Sequence, residues 1–237
     1  MSDSKPTFLI TIDTEGDNLW EKLSTITTKN SRFLPRFQEL CEKYKFKPTW
    51  LTNYEMAMCS IFTDLGHDVL RRRVGEIGMH LHAWNSPPIV RHDTRNTTYL
   101  IEYPENIMKE KIGFMTELLE QRFQCKVVSH RAGRWALDTT YVRLLIDHGY
   151  KVDCSVTPHV SWANHPGGCD GSGGSDYTHF PVGPYFMDLD RIDRQGNSPL
   201  LELPVSIVQR FTTLHRMASQ TPFLIRKGLR RLFSPVI

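Results

Sequence analysis

The 237-residue sequence contains no C-x-x-C pair. Its five cysteines, Cys41, Cys59, Cys125, Cys154 and Cys169, are scattered and odd in number, which excludes a zinc ribbon or a dithiol redox motif and makes reduced, cytoplasmic thiols the expectation. No window reaches ~18 uninterrupted apolar residues, and no basic n-region opens the chain, so neither a membrane span nor a signal peptide is expected. An excess of one charge is missing too. The 29 Lys+Arg stand against 26 Asp+Glu, a formal net charge of +3 that implies no nucleic-acid groove. There is no internal repeat, and no low-complexity tract beyond a Gly/Ser patch near residues 167–175. What is present is a 40% hydrophobic chain with 23% charged residues of mixed sign. That balance supports a sizeable core, and α/β barrels reach this length undivided, so one domain over residues 1–237 is expected.

Short apolar, β-branched runs recur along the chain: Phe8 to Ile12, Thr49 to Thr52, Ile77 to His82, Lys126 to Ser129, Lys151 to Val156 and Leu200 to Ile207. Helical periodicity separates several of them. Phe33, Leu34, Phe37, Leu40, Cys41 and Tyr44 share one face after a capping Asn30 or Ser31, and Ile107, Met108, Met115, Leu118 and Leu119 share another after Pro104. A third helix runs from Asp138 as N-cap to Gly149 as its stop. Alternating strand and helix implies parallel strands joined by right-handed crossovers, in an open sheet or a barrel with its chemistry at the strand ends. Residues 164–184 read as a long irregular loop, a lid or a binding wall. Residues 222–237 carry Arg226, Lys227, Arg230 and Arg231 among Phe223, Leu224, Ile225, Leu229, Leu232 and Phe233. This is the pattern of a basic amphipathic helix; packing against the domain is the favoured reading, with membrane-surface contact its rival.

Three clusters can carry chemistry. Asp13 and Glu15, two apart at the end of a strand, project to one side and can share a cation or a water; capping the next helix is the ordinary alternative. His80 and His82 also project to one face if extended, while Leu81 enters the core. Two imidazoles with one carboxylate form the His₂-carboxylate set of a catalytic zinc site with open positions, whereas a lone histidine would read as a satisfied core residue. Arg131 and Asp153 stand at the ends of neighbouring strands and can pair to fix a catalytic carboxylate, or form a plain buried ion pair.

These segments, in this order from about Phe8 to Ile207, resemble the polysaccharide deacetylase family, the NodB-homology carbohydrate esterases. Thr11-Ile12-Asp13-Thr14-Glu15 is similar to the family's acidic first motif, and His80-Leu81-His82 to its histidine motif, usually His-x-x-x-His, with Trp84 where the usual second histidine falls. Arg131-Ala132-Gly133-Arg134 is similar to the third motif, with Gly133 in place of proline, and the region of Asp153 corresponds to the fourth. The resemblance implies a distorted (β/α) barrel and a metal-dependent hydrolase that removes N- or O-acetyl groups from a carbohydrate. In that scheme Glu15, His80 and His82 hold a divalent ion, zinc by preference, and Asp13 takes the proton of the attacking water. Arg131, paired with Asp153, orients Asp13, and a backbone N–H after Arg131 helps to meet the oxyanion. Trp84, Trp135, Trp162 and Tyr185 are candidates to stack on sugar rings. The substrate of a cytoplasmic enzyme would be an acetylated glycan precursor.

The family's fifth motif places a general-acid histidine on a late strand, and Leu201-Glu202-Leu203-Pro204-Val205-Ser206 contains none. Either the barrel is incomplete at its C-terminus, which accounts for the missing strand and the missing acid together, or His215 or His165 substitutes. Two rival functions stay open: a non-catalytic carbohydrate-binding or regulatory descendant of the same fold, and an amidohydrolase acting on a small non-sugar amide.

Overall fold

The computed structural model describes residues 7–19, 26–89, 98–165 and 173–208. His215 and the amphipathic segment 222–237 lie outside the described residues. Seven strands, β1 (Thr11–Thr14), β2 (Thr49–Thr52), β3 (Glu76–Leu81), β4 (Ser129–Ala132), β5 (Val152–Asp153), β6 (Tyr185–Phe186) and β7 (Leu201–Glu202), form one sheet in the order β1-β2-β3-β4-β5-β7-β6. Every pairing is parallel except β6 with β7. The crossovers between the parallel strands carry α1 (Leu34–Lys43), α2 (Tyr54–Ala57), α3 (Ser60–Arg72), α4 (Glu105–Phe123) and α5 (Thr139–Asp147). The expected α/β architecture is therefore present. Among the described residues β1 and β6 are the sheet's two edges, and a cavity of about 460 Å³ separates residues 7–11 from residues 203–206.

Several strand limits differ from those expected, for a common reason. A strand extends only as far as its neighbour supplies partners, and the register is not printed in the apolar run. β1 begins at Thr11, opposite Thr49, so Phe8 and Leu9 are left exposed. Ladder pairing of β4 begins at Ser129, opposite Val152, although the apolar run begins earlier. Beyond β7, the amides of Leu203 and Val205 donate to the carbonyls of Asp153 and Val156, continuing the parallel course without forming a longer strand.

The core lies between the sheet and α3, α4 and α5. Trp50, Phe62 and Phe123 stack edge to face at 5.9 and 5.8 Å, and Met108, Ile112, Met115 and Leu119 bury the inner side of α4. Asp138 caps α5 by accepting from the Tyr141 amide at 2.7 Å, and Gly149, at φ +86°, ends it as expected. The expectation for α1 is corrected. No side chain caps it; a 3₁₀ turn over Lys29–Phe33 precedes it, and its apolar face points outward. Cys41 is buried, but Phe33, Phe37, Leu40 and Tyr44 are exposed, while Gln38 takes the inner position and bonds the Trp50 indole N–H at 3.1 Å.

Lys111 on α4 fixes the turn that follows β3. Its side chain is 1% exposed, its ammonium donates to the carbonyls of Ser86 at 2.6 Å and Pro88 at 2.7 Å, and it lies 5.5 Å from the centre of the Tyr103 ring. Lys111→Met leaves two carbonyls without their donor and is expected to cost about 2 kcal/mol, a fall in Tm of about 4–8 °C by thermal melt. Burial pushes the Lys111 pKa down to about 8, so the unfolded chain holds this proton more tightly than the folded one. Stability of the parent therefore rises between pH 8 and the ordinary lysine value, and the variant should lack that rise.

Candidate functional site

β1 and β3 deliver the acidic and histidine pairs to the same end of the sheet. The Glu15 Oε1 stands 2.8 Å from His80 Nε2 and 2.7 Å from His82 Nε2, and the two Nε2 atoms are 2.8 Å apart. His80 Nδ1 lies 3.0 Å from the carbonyl of Arg131, an obligate acceptor, so Nδ1 carries a proton, and in the neutral form that a cation needs the ring turns its Nε2 lone pair toward Glu15. Three ligand atoms within 4.8 Å of one another, two imidazole nitrogens and a carboxylate oxygen, suit a divalent cation. Without a positive charge among them their lone pairs repel. Glu15, His80 and His82 thus converge as the sequence led us to expect. Burial raises the Glu15 carboxyl pKa, but the two imidazoles outweigh it and hold the group below the usual carboxylate range. Burial, reinforced by His80, pushes His82 down to about 4. Burial also opposes charge on His80, yet Asp13 and Glu15 together raise its pKa.

Asp13 stands beside this cluster, its Oδ2 4.0 Å from His80 Nε2. Its Oδ1 accepts from the Arg131 guanidinium at 2.6 Å. Arg131 is further fixed by donating to Thr11 Oγ1 at 2.5 Å and to the Cys154 carbonyl at 2.8 Å, with the Trp135 ring centred 4.9 Å away. Arg134 and Trp135 take positive φ values of 55° and 61°, a strained turn that brings the indole over the guanidinium. Gly133 fits beside it because a Cβ there would lie 2.4 Å from the Leu81 carbonyl oxygen and 3.1 Å from His82 Cα. Of the backbone N–H groups after Arg131, that of Ala132 is taken by Ser155 Oγ at 2.8 Å.

The pairing expected between Arg131 and Asp153 is corrected. Asp153 is fully buried and accepts from His130 Nδ1 at 2.6 Å and from Ser155 at 2.8 and 3.0 Å, whereas Arg131 binds Asp13 directly. In the sheet register Asp153 is level with His130, and Arg131 with His80. The His130 Nε2 then accepts from Tyr141 at 2.8 Å. Burial and the adjacent Asp153 charge raise the pKa of Glu202 on β7 well above normal, so this carboxyl stays protonated and donates to Asp153. Because the folded chain keeps a proton that the unfolded chain releases near pH 4.5, stability should fall as pH rises from there toward the raised value. Glu202→Gln keeps a donor without a titrating proton, and denaturant unfolding across pH should show that slope flattened. An unchanged slope would place it on another group.

The aromatic candidates divide. Trp84 is half-buried with its ring 4.4 Å from that of His82, and Trp135 is half-buried over Arg131, so both border the cluster. Trp162 is half-buried, its indole N–H donating to Thr157 Oγ1 at 2.9 Å. Tyr185 is a correction: only 5% exposed, it packs in the core and donates its hydroxyl to the Ile192 carbonyl at 2.8 Å, which removes it from any sugar-facing surface. His165 is exposed and rests on Trp162. One residue that sequence reasoning missed is Glu55 on α2. Burial raises its carboxyl pKa, the Glu15 charge raises it further, and its Oε1 accepts from Asn85 at 2.8 Å. The only sequence signal was an acid two residues after the Asn53 cap of a four-residue helix.

Among solved structures, the chain resembles a candidate polysaccharide deacetylase from Mycobacterium smegmatis with a TM-score of 0.52 and 16% identity, over 84% of this chain and 58% of that one. It also resembles a candidate glycoside hydrolase/deacetylase from Parabacteroides distasonis with a TM-score of 0.54 and 11% identity, over 83% of this chain and 44% of that one. The fold is the polysaccharide-deacetylase fold. The chain spans about half the length of these two structures, and at such identities the likeness extends to the fold alone. No family model matches the sequence, and no curated protein matches it. On this fold, the Glu15, His80 and His82 cluster lies at the ends of β1 and β3, and no helix among the described residues is long and apolar enough to cross a membrane.

Proposed function

We propose that the chain is a metal-dependent hydrolase that removes acetyl groups from a carbohydrate. The observation that carries this reading is the meeting of Glu15, His80 and His82 at one point, with Asp13 held beside them by Arg131. Glu15, His80 and His82 would hold the ion, for which two imidazoles and a carboxylate favour zinc. A bound divalent ion supplies Lewis acidity, lowering the pKa of a water and polarising a carbonyl. Asp13 is the base: Arg131 occupies its Oδ1, which leaves Oδ2 turned toward the cluster to accept the proton of the attacking water. Arg131 positions Asp13 and touches no reacting atom in this scheme. Trp84 and Trp135, bordering the cluster, would stack against a sugar ring.

Acetate release from N-acetylglucosamine oligomers and from O-acetylated xylan, assayed with added zinc, tests the reading; a small acetamide tests the non-sugar alternative. Release from a sugar substrate that chelator stops and zinc restores is the expected result. A second reading, carbohydrate binding without turnover, draws on Glu202, which is buried at the place where the resemblance puts an acid histidine. Binding of the oligomers with no acetate released under any metal would establish that reading instead.

A further inference from the structure

We propose that the outward face of α1 docks on an anionic lipid surface. This inference uses no part of the hydrolytic scheme. Phe33, Phe37, Leu40 and Tyr44 follow one another at helical spacing along the outer side of α1 and its leading turn, exposed by 56%, 38%, 49% and 60%. They make an apolar stripe roughly 16 Å long. The inner side of the helix is held by Gln38, whose amide accepts from Trp50 Nε1 at 3.1 Å and donates to the Val74 carbonyl at 3.2 Å and to Glu42 at 3.0 Å. Turning the helix to bury the phenylalanines would strand these buried polar groups, so the apolar stripe is fixed facing solvent.

Charge selects what covers it. Lys29, Arg32, Arg36, Lys43, Lys45 and Lys47 are all exposed around the stripe. Arg32 lies 4.8 Å from the centre of the Phe33 ring, and Lys43 lies 5.5 Å from that of Tyr44, so cation and aromatic are presented together at both ends. The two acids of α1 offset little of this, because Glu42 is bound by both Arg72 guanidinium nitrogens at 2.6 and 2.8 Å; Asp17 lies beside Lys29, so Glu39 and Asp17 stand against six cations. A second copy presenting the same face would meet like charge. Residues 209–237 carry six Arg or Lys and no Asp or Glu, so they are repelled as well. The partner is therefore negative and apolar at once. The stripe borders a shallow, open depression of about 450 Å³ lined by Phe33, Arg36, Phe37, Glu39, Leu40 and Lys43, and aromatic rings with cations along their flank match a lipid interface, where phosphates lie above hydrocarbon, with an acidic peptide as the rival occupant that polyglutamate tests.

The test is co-sedimentation of the full chain with vesicles of phosphatidylcholine alone and of an even mixture with phosphatidylglycerol. Binding to the mixture, absent from phosphatidylcholine and lost in high salt, is expected. Arg36→Glu with Lys43→Glu should lower partition at least about tenfold, and Phe33→Ser with Leu40→Ser should lower it by about as much. All four side chains are exposed, and an unchanged circular dichroism spectrum would show each variant folded. No binding, equal binding to both vesicles, or binding unaffected by either variant and lost only on deleting residues 209–237 would overturn the proposal. So would loss, in the same variants, of binding to polyglutamate when the parent ignores vesicles, since that result assigns the face to an acidic protein.

Discussion

Asp13→Asn is expected to lower kcat by about a hundredfold to ten-thousandfold while the metal content stays at the parent level. The amide keeps the shape of the carboxylate and can still accept from Arg131 through its oxygen, so the turn after β1 and the position of Glu15 are preserved. It cannot accept a proton. Steady-state acetate release paired with elemental analysis separates the two effects. Loss of metal together with activity would make Asp13 a ligand, and an unchanged kcat would remove it from the chemistry altogether.

His80→Ala should weaken metal binding by more than about a hundredfold, because the proposed site, with three ligands among the described residues, loses a donor and its orientation together. His80 is held at both ring nitrogens, with Nδ1 fixed by the Arg131 carbonyl and Nε2 directed at Glu15. Glu15→Ala should behave alike. Trp84→Phe is the informative control: the resemblance puts a histidine at this position, yet the ring lies against His82 and outside the cluster. Full metal content in His80→Ala, or loss of it in Trp84→Phe, would require a different ligand set.

The histidine pair was legible because a strand repeats its face every two residues, so His-x-His could be read without knowing its neighbours. The order of the acidic, histidine and arginine segments pointed to the same fold that the solved structures bear out. The partner of Arg131 was not legible. Arg131 and His130 adjoin in sequence but occupy opposite faces of β4, and the register that sets Asp153 level with His130 emerges only when strands pair. Glu55 was hidden for a similar reason, since nothing local shows that α2 comes to lie beside Glu15. Tyr185 and α1 show the limit of composition. An aromatic in a Pro/Gly-rich loop turned out to be core, and an amphipathic helix turned its polar Gln38 inward, because the buried indole of Trp50 offered it a specific partner.

Arg131 serves the cluster through two parts of one residue: its guanidinium holds Asp13, and its main-chain carbonyl fixes the proton on His80. Only the first is written in the genetic code. Substitution at this position can dismantle the orientation of the base, but the carbonyl persists in whatever residue replaces it, and the histidine keeps its tautomer. If the proposed function holds, the two roles have unequal vulnerability to mutational drift: turnover would disappear in one step, while the ion-binding cluster would outlast it. On that scheme, a lineage that lost turnover through this position would regain it by a single reversion, with metal content blind to the change in either direction.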